Sequence, residues 1–194
     1  MPISITTHRP GATRGFTLVE LLVAVTLSGF VLAGVLTTNL QLMRSGVRLT
    51  QYAEMDSQVR RGYEQLGHDL KIASAITWNG TSDITLTIPN SSGATTQVTY
   101  AWTSGTQSLF KVPGASSAVT VGRVYLVQGI LPLAGGAPGL TFARFDRNGV
   151  AATTDLATKR IQVRMTVSRQ SGTAATATAN AVSVTFILRN KPVG

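Results

Sequence analysis

With 194 residues the chain has room for one modest domain and a membrane segment. It contains no cysteine, which excludes a disulfide framework, a thiolate nucleophile and a cysteine-ligated metal. Its formal charge of +9, from 17 Lys+Arg against 8 Asp+Glu, is spread along the chain and steers anionic partners without forming one cationic run.

The first predicted element is a short basic leader, residues 1–15, carrying Arg9 and Arg14 and ending in Gly15. Phe16 follows, then Glu20, and residues 21–43 carry no charge at all. At about 1.5 Å per residue that run spans roughly 34 Å, enough to cross a hydrocarbon core of about 30 Å. Placing a lone acid such as Glu20 in a bilayer costs on the order of 2.5–3.5 kcal/mol at the centre, so it demands a use. Basic residues before the span put the leader in the cytoplasm, while Arg44 and Arg48 just beyond it weaken that bias.

The order Gly15, Phe16, Glu20, long apolar run resembles the processing site of type IV prepilins. The resemblance implies cleavage by a prepilin peptidase after Gly15, methylation of the new N-terminus at Phe16, and a role in assembly for Glu20. It also implies an inner-membrane protein with its C-terminal domain in the periplasm, later carried into a filament. Expected partners are major and minor pilins or pseudopilins, the peptidase, a platform protein and an assembly ATPase. Many major pilins carry a proline in the early helix; this chain has Thr37 in that region and no proline. An alternative reading makes residues 21–30 the core of a secretory signal cut after Ala33, releasing a soluble protein that starts at Gly34.

Beyond the span, Tyr52, Met55, Val59, Tyr63, Leu66, Leu70 and Ala73 recur at helical spacing, with Arg60, Arg61, Glu64, Gln65 and Asp69 off that face. This predicts a helix over 16–76, with 16–43 in membrane or filament core and 44–77 as its amphipathic continuation. Gly29, Gly34 and Gly46 loosen it locally. From residue 78 the composition turns to Thr, Ser, Gly, Val and Ile. Strands are expected near 84–88, 97–102, 108–112, 123–128, 140–145, 161–168 and 182–189, separated by Pro- and Gly-rich breakers. The small, repetitive residues 171–180 read as an exposed hairpin loop. The fold class is α+β: a long N-terminal helix covering an antiparallel β-rich domain, 78–194. Residues 139–149, with 188–190, loosely resemble minor pilins of the PilW kind and the J-type pseudopilins of type II secretion.

Catalytic chemistry finds little support. His8 leaves with the leader, and His68 beside Asp69 is the sole candidate general base, with no serine motif to serve. The Asp146–Gly149 sequence hints at a calcium loop but lacks its further acids, and it reads as a hairpin turn. No phosphate-binding glycine motif is present, so the energy for assembly must come from another protein. The expected role is structural and non-enzymatic, with no cofactor or metal: a minor pilin or pseudopilin. The alternative is a DNA-uptake or adhesion subunit in which dispersed arginines, Trp78, Trp102 and Tyr125 meet DNA.

Overall fold

The computed structural model describes residues 15–90, 92–169 and 178–192. The leader up to residue 14, and residues 171–177 of the expected hairpin loop, lie outside them. The chain divides into two units, residues 1–47 and 48–194. Helix α1, Leu18–Ile72, contributes to both.

In the first unit α1 shows no burial within the chain. Its apolar window reaches a mean hydropathy of 2.3. Hydroxyls along it are satisfied internally. Thr26 donates to the carbonyls of Leu22 and Val23, Ser28 to Ala24, Thr37 to Ala33 and Thr38 to Gly34, at 2.7–3.1 Å. That back-bonding removes their need for water and suits the helix to an apolar medium.

In the second unit the remaining turns of α1 lie on two antiparallel sheets. The first is a meander of five strands in chain order: β1 (Ala75–Gly80), β2 (Asp83–Pro89), β3 (Thr95–Thr103), β4 (Ser108–Pro113) and β5 (Val124–Gln128). The second has β6 (Leu140–Phe145), β7 (Arg160–Arg169) and β8 (Thr178–Ile187), with β7 central. Met55, Val59, Tyr63, Leu66 and Leu70 of α1, with Ala73 just beyond it, share one core with Ile84, Leu86, Tyr100, Leu109 and Val127 of the first sheet. Leu140, Phe142, Ile161, Val163 and Met165 of the second complete it. Two glycines set how closely α1 approaches. A Cβ on Gly62 would stand 2.5 Å from Val127 Cγ2, and one on Gly67 would stand 2.5 Å from the Phe186 ring.

The α+β class and all seven expected strands are present, with three corrections. The helix ends at Ile72, not residue 76, because Ala73 N–H still reaches the Asp69 carbonyl while Ser74 N–H turns to Thr87 O at 2.8 Å. The β-branched Ile76 and Thr77 then pair with Leu86 and Thr85 as β1, so the β-rich region begins at Ala75 instead of 78. The strands divide into sheets of five and three. Finally, Tyr52 is exposed although it continues the apolar spacing, and Asp69, placed off the apolar face, is buried at 4% exposure.

The outer faces of the two sheets differ. Residues 114–123 lie across the first sheet, where Thr99 donates to Gly114 O at 2.8 Å, Ser117 to Asp83, and Arg123 stacks 4.2 Å from the Phe110 ring. Among the described residues nothing is laid in this way across β6–β7–β8. The chain after β8 is fastened back onto earlier elements. Leu188 N–H donates to Lys159 O at 3.0 Å, Asn190 Nδ2 to Ile72 O at 3.4 Å, and the buried Lys191 Nζ to Leu156 O at 2.6 Å.

Candidate processing and assembly site

Gly15, Phe16 and Thr17 precede the helix in non-helical backbone, and α1 opens at Leu18. Phe16 is 89% exposed, and among the described residues no atom outside the chain neighbours of Gly15 lies within 4 Å of where its side chain would begin. The Gly15–Phe16 peptide bond is therefore accessible, ahead of regular hydrogen bonding.

Thr17 caps the helix reciprocally with Glu20. Thr17 Oγ1 accepts from the Glu20 N–H at 3.2 Å, while the Thr17 N–H and hydroxyl both donate to Glu20 Oε2 at 2.9 Å. This is a capping box, in which two orphan donors of a helix start are satisfied by side chains three residues apart. The acid also sits at the positive end of the helix dipole. Part of the cost of Glu20 at a membrane edge is thus met within its own turn. Glu20 Oε1 accepts no hydrogen bond among the described residues. Thr17 was missing from the sequence-based site, although its signal, Thr followed three residues later by Glu, stands in plain view.

The other candidates resolve as structural. His68 is a surface side chain, 68% exposed, touching Asp69 at 3.2 Å through Nδ1. The Asp146–Gly149 segment is a turn: Asp146 Oδ1 accepts from Asn148 N–H at 2.8 Å and Val150 N–H at 2.9 Å, and Gly149 takes φ +88°. Asn148 is not left-handed, so Gly149 alone supplies the turn's special conformation. Arg144 lies 4.9 Å from the Trp78 ring but is held there by Asp155 at 2.6 Å, and Trp102 Nε1 donates to Ile130 O at 2.9 Å. Among the described residues no group of three His, Asp or Glu side chains is placed to hold a metal.

A buried carboxylate ties α1 to the first sheet. Asp69 Oδ2 accepts from the Tyr100 hydroxyl at 2.6 Å and from Lys111 Nζ at 2.7 Å. Burial pushes the Asp69 carboxyl up. Hydrogen bonds from Lys111, Tyr100 and His68, with the Lys111 charge, outweigh it and leave the carboxyl below its ordinary value. Burial, and then the bond to Asp69, drive the Tyr100 hydroxyl far above its ordinary range. This arrangement locks helix to sheet.

Residues 11–36 match the family model of the prokaryotic N-terminal methylation motif. No curated protein matches the chain. The matched segment contains Gly15, Phe16, Thr17 and Glu20 and most of the apolar half of α1. Motif, long apolar helix and antiparallel sheets together support a type IV pilin- or pseudopilin-like protein.

Proposed function

We propose that the chain is a structural minor subunit of a type IV pilus or type II secretion pseudopilus. Prepilin peptidase cuts after Gly15, Phe16 becomes a methylated N-terminus, and the apolar half of α1 anchors the subunit in the inner membrane before entering a filament. The observation that carries the reading is the exposed Gly15–Phe16 bond set directly before a capped helix whose apolar half is uncovered.

Cleavage creates a cationic amine at Phe16. An amine and a carboxylate about 4 Å apart attract by about 4 kcal/mol at an effective dielectric of about 20, before desolvation is subtracted. Thr17 holds Glu20 Oε2, so Oε1 is the atom that meets the Phe16 amine of a neighbouring subunit. Such a contact sets register more than it adds net stability. The platform protein and the ATPase supply the work of extraction, and the β domain meets neighbouring minor subunits.

N-terminal sequencing after expression with a prepilin peptidase tests the processing step. The mature chain should start at Phe16 and Gly15→Ala should stay uncut; a start at Gly34 would overturn the proposal in favour of a secreted protein. Glu20→Gln should insert in the membrane normally yet enter filaments poorly. Normal incorporation of that variant removes the assigned role of the acid.

A further inference from the structure

The outer face of the second sheet carries arginines and no acid on its strands. Cross-strand register puts Thr141, Arg164 and Ser183 in one row, Ala143, Gln162 and Thr185 in the next, and Phe145, Arg160 and Ile187 in a third. Their intervening neighbours, Phe142, Val163 and Met165 among them, point into the core, so these rows face outward. β6, β7 and β8 contain no Asp or Glu. Arg164 is exposed at the centre of the sheet and makes no ion pair among the described residues. Arg160 reaches over the adjoining turn, donating to Arg147 O at 2.9 Å, and so brings the exposed Arg147 to the same end. The nearest acid in sequence, Asp146, turns Oδ1 onto two backbone N–H groups.

We propose that this face binds the phosphodiester backbone of nucleic acid. Arg160 and Arg164 stand four residues apart on one strand, roughly 13 Å at about 3.3 Å per residue. That matches about four phosphates of one strand at 3.4 Å axial rise. Small residues, Ala143, Ser183 and Thr141, flank the arginines and keep the face flat enough for an extended polymer. Gln162, Thr141 and Thr185 add hydrogen-bond groups for phosphate and sugar oxygens, which position a strand without reading its sequence. Phe145, half-buried at the row with Arg160, offers an edge for a base. An anionic bilayer fits less well, because surface binding there draws on inserted apolar side chains and among the described residues this face presents only Ile187 as a large, strongly exposed one.

The test uses the full chain in nanodiscs of zwitterionic lipid and fluorescein-labelled DNA, single-stranded and duplex, read by anisotropy across a salt series. Three arginine contacts give a slope of log affinity against log salt of about −2 for single strands. Arg160→Gln with Arg164→Gln should flatten that slope by about 1.4. Arg164→Lys should retain binding. Arg61→Gln with Lys71→Gln, which removes equal charge elsewhere on the domain, should leave it unchanged. Because Arg160 also braces a turn, Arg164→Gln alone is measured beside a thermal melt. Absence of DNA binding at low salt overturns the proposal, as does equal loss in the Arg61/Lys71 control. So does a loss confined to co-sedimentation with phosphatidylglycerol vesicles, which reassigns the face to lipid.

Discussion

Replacing Lys111 with Met should damage the domain more than neutralising its partner, Asp69. The two side chains meet at 2.7 Å, yet they differ in access to water: Lys111 is 27% exposed and Asp69 only 5%. In Asp69→Asn the orphaned ammonium swings outward and hydrates, and the Tyr100 hydroxyl still finds an amide oxygen. The cost is then one charge-assisted hydrogen bond, about 1.5 kcal/mol. In Lys111→Met a buried carboxylate loses its counter-charge and has no route to solvent. Breaking a buried pair in this way costs about 3–5 kcal/mol, and the bond retained from Tyr100 points to the lower end, about 3 kcal/mol. The double variant should be less destabilised than the sum of the singles by about 1–2 kcal/mol. Urea unfolding of the full chain in detergent, followed by the fluorescence of Trp78 and Trp102, measures all three. A Lys111→Met variant as stable as Asp69→Asn, or more so, would refute the reasoning, because the carboxylate would then not depend on that cation.

The same network gives a pH dependence. The folded carboxyl of Asp69 lies below its unfolded value, so its contribution is fully present above the ordinary carboxylate pKa and fades as pH falls through the lower folded one. Urea midpoints should therefore drop on acidification, and Asp69→Asn should blunt that drop. Gly62→Ala sets about 1 kcal/mol of gained helix propensity against overlap with Val127, which is fully buried and cannot move; a net loss of about 1–2 kcal/mol is expected by urea unfolding. Gly67→Ala should cost less in the same assay, because the Phe186 ring it meets is only half-buried and can pivot. Thr17→Val removes the cap acceptor and the hydroxyl donor to Glu20, worth about 1 kcal/mol; amide exchange should speed in the first turn of α1 and be restored by Thr17→Ser.

Local chemistry explains what could be read from the sequence. Alternating β-branched residues marked β2 to β8 because one face of each strand is buried, and Met55 to Leu70 marked the packed face of α1 for the same reason. β1 escaped because Ala73 and Ile76 extend the helical spacing by coincidence. What stops the helix is the pairing of Ser74 with Thr87, a partner further along the chain. Asp69 looked solvent-facing for a similar reason: its acceptors' partners, Tyr100 and Lys111, lie 31 and 42 residues away. At the N-terminus the error ran the other way. The Thr17–Glu20 bond is wholly local, spans three residues and is legible as a capping box. The three rows of the second sheet's outer face required the register of β6, β7 and β8, which no single strand contains.

The fastening after β8 also orders events in time. A ribosome delivers α1 before residues 178–192, yet Ile72 waits for Asn190 across a separation of 118 residues, and Gly67 waits for Phe186. Loop closure over such distances must be met before its contacts give any return. While β8 is still being synthesised, the amphipathic turns of α1 have only part of their core, lacking Val184, Phe186 and Leu188. The contact that finishes the domain is thus also among the last that chain-order synthesis can supply.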